Sequence, residues 1–200
     1  SAASDVYKRQ VQLTVTTKPL GDAPADALVL GVSHDGAVAV PGDVKGGLRR
    51  RLNELAERAG ARGSLESVVV VPAPDDVRAG DVLFVGLGRG EADERRENLR
   101  RAAGAATRAL QGRAASATVA LPVTGAEDAQ AVAEGVALGA FHYTAQKSRT
   151  LSDDDAPLAS AAVAVAKNLG KDAGPALQRA AHVARAVRLS LIHISEPTRL

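Results

Sequence analysis

The sequence predicts an α/β fold, a three-layer α/β/α arrangement with a mixed, mostly parallel sheet. Short apolar runs alternate with longer segments whose apolar residues recur every three or four positions, which is typical of strands alternating with amphipathic helices. Apolar residues make up 46% of the 200-residue chain, enough for one sizeable core. Because aromatic residues make up only 2%, that core must consist mainly of Val, Leu and Ala.

The first half of the chain predicts four strands and one helix. The strands are expected at 11–17, where apolar and polar residues alternate, and at the apolar runs 26–32, 67–73 and 81–88. The helix is expected at 43–60, where Asp43 suits the N-cap and Gly60 the C-terminal end. Its predicted inner face consists of Val44, Leu48, Leu52, Leu55 and Ala59.

The second half predicts two strands and three helices. The strands are expected at 117–123 and 158–166, and the helices at about 93–111, from 124 onward and from about 175 onward. The residues expected to face inward on the first two helices are Leu99, Ala103, Ala106, Leu110, Ala129, Val132, Val136 and Tyr143.

Three local signals add detail to these helices. Thr124 and Glu127 have the spacing of a capping box, in which each side chain bonds the backbone amide of the other residue. Gly135 and Gly139, four positions apart, would let a neighbouring element approach closely. Pro175 is expected near the first position of the last helix, where its missing amide hydrogen costs least.

Both ends of the chain differ in composition from its middle. Residues 11–188 use Arg far more than Lys and contain no Ile, whereas Ile192 and Ile194 both lie near the C-terminal end. The opening SAASDVYKRQ and the closing LSLIHISEPTRL resemble peptides translated from sequencing-adapter DNA. We therefore predict a non-native leader at 1–10, one domain at 11–188 and a non-native tail at 189–200.

Composition argues against several classes of function. The net charge of +2 is close to balance, and no stripe of basic residues with interleaved aromatics predicts a nucleic-acid partner. Cysteine is absent, which removes disulfides, thiolate metal sites and cysteine nucleophiles. No run of 18 apolar residues predicts a membrane span. We expect a soluble, cytoplasmic chain.

The glycine-rich segment FVGLGRGE (84–91) is the clearest ligand-binding signal. Glycines between a strand and a helix let the backbone approach a phosphate, which helix amides then bind. A dinucleotide fingerprint needs Gly-x-Gly-x-x-Gly and an acid at the end of the next strand, but Gly90 comes one place early and that strand ends in ALPVTG. This disfavours an NAD-dependent oxidoreductase, and tight turns explain such glycines more often than ligands do.

Other polar clusters give no catalytic site. The run Asp153–Asp155 favours a solvated loop over a metal site, because adjacent carboxylates point in different directions and no further ligand lies at a suitable spacing. His34, followed by Asp35, suggests acid–base work but is typical of a structural loop pair, and His142 and His182 lie far away in sequence. We predict no catalytic, cofactor-binding or metal-binding residue.

Two segments resemble the N-terminal domain of the leucyl (cytosol) aminopeptidases, the M17 family of metallopeptidases. In 81–110 a strand ending Val-Gly-Leu-Gly precedes a helix with Leu-Arg-Arg-Ala-Ala-Gly-Ala-Ala. In 131–148 the matching residues are Glu134, Gly135, Leu138, Gly139, Phe141, Tyr143, Lys147 and Ser148. Where the family often has a further Tyr, the chain has Gln146. The segments DALVLGV and PGDVKGGL fit the same order, so the resemblance covers about 11–188.

The resemblance implies a domain similar in fold to macro domains, which precedes a larger catalytic domain. The family's catalytic domain holds two divalent metals, commonly Mn or Zn, and removes N-terminal residues, often Leu, from peptides. The family assembles as a homo-hexamer in the cytoplasm. Its metal-ligand segments, such as Phe-Asp-Ser-Gly-Gly, do not occur in this sequence.

The resemblance therefore implies a fragment that lacks cofactors and is inactive alone. Its expected partners are its own missing catalytic domain and further copies of the chain. The alternative is a macro-like module that binds ADP-ribose or a nucleotide near the GLGRGE turn. The sequence leaves the parent's substrate preference and metal identity open.

Overall fold

The computed structural model describes residues 11–42, 44, 46–90, 94–141 and 156–195, with side chains up to 187. The strands are β1 (Gln12–Thr16), β2 (Ala25–Val32), β3 (Val38–Ala39), β4 (Val68–Pro72), β5 (Ala79–Gly86), β6 (Ser116–Ala120) and β7 (Ser160–Ala164). The helices are α1 (Gly46–Arg58), α2 (Arg95–Ala109), α3 (Ala126–Gly139) and α4 (Gly170–Ser195), with a 3-10 turn at Lys167–Leu169. Every predicted strand and helix is present, and β3 is an addition.

The strands form one mixed, mostly parallel sheet in the order β1-β7-β6-β2-β5-β4. The pairs β1–β7, β7–β6, β6–β2 and β2–β5 are parallel. β4 pairs antiparallel with β5 at one edge of the sheet. β3 pairs antiparallel with Gly31 and Val32, just beyond the last β2 residue that pairs with β6. The predicted fold class is confirmed. β3 escaped prediction because two residues show no periodicity.

Helices cover both faces of the sheet, which gives the three predicted layers. Ala27 and Val29 of β2 pack in the cluster that contains α2, α3 and α4, whereas Leu28 and Leu30 pack in the cluster that contains α1. Successive strand residues thus face opposite helical layers, which is why the buried strands are continuous apolar runs. Phe84, which is 1% exposed, is the largest fully buried side chain among the described residues.

The inner face of α1 differs slightly from the prediction. Leu48, Leu52 and Ala56 are buried, whereas Leu55 and Ala59 are half-buried. The step of four from 48 to 52 continues to 56, so the buried stripe follows one side of the helix. Gly60, with φ of +69°, ends the helix as predicted, and Asp43 lies outside the described residues.

The start predicted for α4 is wrong. The helix begins at Gly170, directly after the 3-10 turn, and Pro175 lies inside it. Ala173 is 1% exposed and belongs to the core, so packing favours helical structure upstream of the proline. Proline has no amide hydrogen, so the Lys171 carbonyl loses its α-helical donor.

Helices α2 and α3 pack backbone to backbone, as Gly135 and Gly139 predicted. A Cβ atom on Gly135 would lie 2.1 Å from the Arg100 carbonyl oxygen, and one on Gly139 would lie 2.6 Å from the Gly104 carbonyl oxygen. Real Cβ atoms do not approach oxygen this closely, so only glycine permits this separation of the two helices.

Helix α4 continues to Ser195, into the segment 189–200 that was predicted to be a non-native tail. A helical backbone does not distinguish native from foreign sequence, so the non-native origin of 189–200 remains a prediction. The leader predicted at 1–10 lies outside the described residues. Among the helices that the structure describes, none combines the length and hydropathy needed to cross a lipid bilayer.

Candidate functional site at the carboxyl edge of the sheet

The carboxyl ends of β2 and β5 lie side by side, which places the glycine-rich turn next to the segment that follows β2. Val32 pairs with Gly86 in the parallel register, so Ser33 and His34 continue at the same edge as 87–90. Ligands of open α/β sheets bind at this edge. The glycine-rich turn therefore lies where a phosphate would bind, and its geometry decides between a phosphate site and a tight turn.

Three backbone amides of this turn are already bonded within the chain. The N–H groups of Gly86, Leu87 and Gly88 donate at 2.8, 2.9 and 2.7 Å to the carbonyls of Ser67, Val32 and Gly63, respectively. An anion at a glycine-rich turn needs such amides to be free. These three amides instead fasten the turn to β2 and to the segment 63–67.

The glycines of the turn are explained by packing against this segment. A Cβ atom on Gly86 would lie 1.9 Å from the Ser64 carbonyl oxygen. Gly88 has φ of +73°, and a Cβ there would lie 2.9 Å from the Leu65 Cβ. The geometry favours the tight-turn interpretation of the GLGRGE segment over a phosphate cradle.

His34 and Asp35 are held by different neighbours. The His34 Nε2 accepts a hydrogen bond from the Arg89 Nε at 2.6 Å. Asp35 accepts from the Ser33 hydroxyl and, at 3.2 Å, from the Ala37 amide, and these bonds lower the pKa of its carboxyl. Asp35 therefore stabilises its own turn, as the structural interpretation of this pair predicts.

A buried carboxylate lies at the start of α3. Asp128 accepts hydrogen bonds from the Thr124 amide at 2.9 Å, the Thr124 hydroxyl at 2.7 Å and the Arg95 guanidinium at 2.5 Å. Arg95 also donates to the Pro122 carbonyl. Burial alone raises the pKa of Asp128, but the Thr124 amide and Arg95 outweigh it, so the pKa lies below its ordinary value of 3.8.

The predicted capping box is therefore wrong. The N-cap of α3 is Gly125, which makes no side-chain capping bond, and Asp128 rather than Glu127 reaches back to Thr124. Glu127 instead pairs with Arg96 at the surface, at 2.7 Å. The helix starts one residue later than the motif implies, so the acid that can reach the Thr124 amide shifts by one position.

A second polar network joins the three helices on one face of the sheet. The Arg100 guanidinium of α2 donates to Glu134 of α3 at 2.8 Å, and Glu134 also accepts from Gln130 at 2.9 Å. Gln130 in turn accepts from Arg179 of α4 at 3.0 Å. Glu134 is only 7% exposed, so this network fixes the helices in one mutual arrangement.

Sequence interpretation missed both networks. Asp128 and Glu134 each lie at an inward position of a helix otherwise rich in Ala and Val. A buried acid needs a basic partner, so the inward position of these two acids was the sequence signal that could have revealed the networks. The partner itself, Arg95 or Arg100, lies on another helix and follows only from the tertiary fold.

A groove of about 860 Å³ lies beside the carboxyl ends of β1 and β7 and the start of α1. Its walls are the segments after β1 and β7 and the first turn of α1, and its charged residues include Lys18, Asp22, Arg51 and Lys167. Arg51 is paired with Asp76 across the groove wall. Among residues 86–90, the part of the GLGRGE segment that the structure describes, none lines it.

Several sequence candidates lie outside the described residues. They are His142, Tyr143, Lys147, Ser148 and Asp153–Asp155. His182 is exposed on α4. Within the described ranges, no three His, Asp or Glu side chains are grouped so that they could hold a metal ion. The absence of catalytic, cofactor and metal residues remains a prediction.

Comparisons with known proteins agree on one family. Residues 29–150 match the model of the cytosol aminopeptidase family, N-terminal domain. A probable cytosol aminopeptidase of Streptomyces avermitilis is 38% identical over 187 residues, which cover 86% of this chain and 36% of that protein. One from Micrococcus luteus is 39% identical over 183 residues, which cover 87% and 35%. The chain thus spans little more than a third of these relatives.

Solved structures show a similar fold. A mutant of tomato leucine aminopeptidase superposes with a TM-score of 0.74 over 94% of this chain and 39% of its own, and its 20% identity shows the fold alone. The bottromycin maturation enzyme BotP, in complex with Mn, gives a TM-score of 0.52 at 30% identity over 80% of this chain and 30% of its own. The chain belongs to the cytosol aminopeptidase family and carries its N-terminal domain.

Proposed function

We propose that the chain is the non-catalytic N-terminal domain of a cytosolic leucyl aminopeptidase and supports a catalytic domain. The observation that carries this proposal is the match of 29–150 to the N-terminal domain of the family, on a chain that covers 36% of a relative. The proposed parent is a dinuclear Mn or Zn exopeptidase that releases N-terminal amino acids from peptides, since paired metals activate water and polarise the scissile carbonyl.

The buried charges support a scaffolding role. Asp128 and Glu134, the most buried acids in the described residues, bond to groups that connect helices and loops. These bonds rigidify the helical layer of the sheet, and a rigid unit is suited to hold a neighbouring domain in place.

The proposed partners are the catalytic domain of the same parent and further copies of the chain in a homo-oligomer, a hexamer in the parent. The proposed location is the cytoplasm, which the names of the curated relatives favour. Within the proposal, the fragment itself binds no metal, and the metals belong to the catalytic domain.

A domain exchange tests the supporting role. Residues 11–188 would replace the corresponding N-terminal part of the Streptomyces avermitilis relative, and release of p-nitroaniline from leucyl-p-nitroanilide would be measured with Mn²⁺. We expect the chimera to be active and to have the oligomeric state of the unaltered enzyme, and the catalytic part alone to be less active. A well-folded chimera no more active than the catalytic part alone would contradict the proposal.

A second candidate is a macro-like module that binds ADP-ribose or a nucleotide. The groove at the ends of β1 and β7 favours it, because open α/β sheets bind ligands at this edge. The bonded amides of the GLGRGE turn argue against the turn itself as the phosphate site. Titration calorimetry with ADP-ribose tests this candidate, and the absence of heat at millimolar ligand would end it.

A further inference from the structure

The segment 61–66, which joins α1 to β4, forms a strap across the carboxyl ends of β2 and β5. A Cβ atom on Gly63 would overlap the Ser33 carbonyl oxygen, just beyond the end of β2. At the end of β5, a Cβ atom on Gly86 would overlap the Ser64 carbonyl oxygen. The backbone of the strap therefore touches both strand ends, in the place where open α/β sheets bind ligands.

One carbonyl of the strap occupies the position of a ligand atom. The Gly63 carbonyl oxygen accepts a hydrogen bond from the Gly88 amide at 2.7 Å. Amides of glycine-rich turns that open a helix are the groups that bind phosphate oxygens. The strap thus satisfies, with an uncharged oxygen, an amide of the kind that binds anions. Arg89, the next residue of the turn, adds a cation at the same edge, where it donates to His34 at 2.6 Å.

The strap is held at its C-terminal end by interactions that can yield. Glu66 has φ of +63°, and among the residues that the structure describes it is the one non-glycine residue with a left-handed backbone. This conformation is unfavourable for a residue with a Cβ atom. The Glu66 carboxylate pairs with Arg101 at 3.1 Å and Arg108 at 3.8 Å, and all three side chains are at least 35% exposed. Exposed ion pairs are weak and screened by salt, so they oppose the backbone strain only modestly.

We propose that the strap is a built-in closure over a phosphate site. While the Gly63 carbonyl bonds the Gly88 amide, the turn binds no anion. When the strap is displaced, the Gly88 amide and the Arg89 guanidinium bind a phosphate group. This inference goes beyond the supporting role and does not depend on it, so a failed domain exchange would leave it standing. It also concerns the turn, whereas the second candidate function concerns the groove.

Gly63→Ala opens the strap, because the added Cβ would meet the Ser33 carbonyl, a backbone group that cannot rotate away. In nuclear magnetic resonance of this variant, inorganic phosphate at millimolar concentration should shift the Gly88 amide in a saturable way. A further Arg89→Ala substitution should weaken that response. The unsubstituted chain should show no saturable shift over the same range. ADP is titrated separately, and a tighter response to ADP would assign the phosphate to a nucleotide.

Ser64→Ala is the matched control. It places the same side chain on the neighbouring residue of the strap, where the side chain is exposed and the backbone contact with Gly86 is kept. We therefore expect it to respond to phosphate like the unsubstituted chain. A saturable shift of Gly88 in the unsubstituted chain would overturn the proposal, and so would a folded Gly63→Ala chain without one.

Hydrogen exchange of the Gly88 amide gives an answer even if Gly63→Ala fails to fold. Glu66→Gln removes the charge that pairs with both arginines and keeps the backbone, so it should speed this exchange about threefold, as expected for weak exposed pairs. The Leu87 amide, which bonds Val32 of β2 rather than the strap, should keep its rate. Equal Gly88 rates in the two chains, or a Leu87 rate that rises as much as that of Gly88, would contradict a strap that opens separately.

Discussion

Replacement of Gly135 with alanine should lower the free energy of unfolding by about 3 kcal/mol, the upper part of the usual range for overpacking. The added Cβ would lie 2.1 Å from the Arg100 carbonyl oxygen and 2.9 Å from the Ala103 Cβ. The first neighbour is backbone, which no rotamer change can move, so α2 and α3 must separate. That separation would also loosen the Arg100–Glu134 bond.

Urea denaturation followed by circular dichroism measures this loss. Gly125→Ala is the matched control, since Gly125 lies at the start of the same helix with φ of −159° and no atom within 4 Å of an added Cβ. It should change the free energy of unfolding by less than about 0.5 kcal/mol. Equal effects of the two substitutions would show that the helices are not packed backbone to backbone.

Replacement of Asp128 with alanine should lower the free energy of unfolding by about 2–3 kcal/mol at pH 7. The substitution leaves the Thr124 amide and the Arg95 guanidinium without their acceptor in a site where the Asp128 side chain is only 8% exposed. Glu127→Ala is the neighbouring control. That carboxylate is 74% exposed, so its loss should cost less than about 1 kcal/mol.

The contribution of Asp128 should also depend on pH. Its pKa is lower in the folded chain than the value near 3.9 expected when unfolded, so the carboxylate stabilises the fold above that value. This stabilisation is lost as the pH falls through the folded-state pKa. The difference in unfolding free energy between the original chain and Asp128→Asn should thus shrink from pH 7 towards pH 2. A difference that grows towards acid would contradict this assignment.

Local periodicity predicted those parts of the fold that depend on local sequence. The inward face of α2 and the glycines of α3 follow from helical spacing, and Leu99, Ala103 and Gly135 lie where that spacing places them. The start of α4 did not follow, because burial of Ala173 outweighs the preference of Pro175 for a first turn. Tertiary packing decided that boundary.

The candidate site was harder to predict than the fold. The meaning of Gly86 depends on Ser64, which packs on it from an earlier part of the chain, so the GLGRGE pattern alone favoured a tight turn without excluding a ligand. The acid that bonds Thr124 depends on the N-cap, a boundary that sequence patterns place only approximately. Arg95 joins Asp128 only because α2 and α3 pack together.

The central claim is that this chain supports an aminopeptidase without cleaving peptides itself. The most direct measurement incubates the purified 200-residue chain with leucyl-p-nitroanilide and Mn²⁺, beside the intact Streptomyces avermitilis relative and a blank that contains metal alone. We expect the relative to release p-nitroaniline and the chain to match the blank. Metal-dependent release by the chain, in proportion to its concentration, would contradict the account.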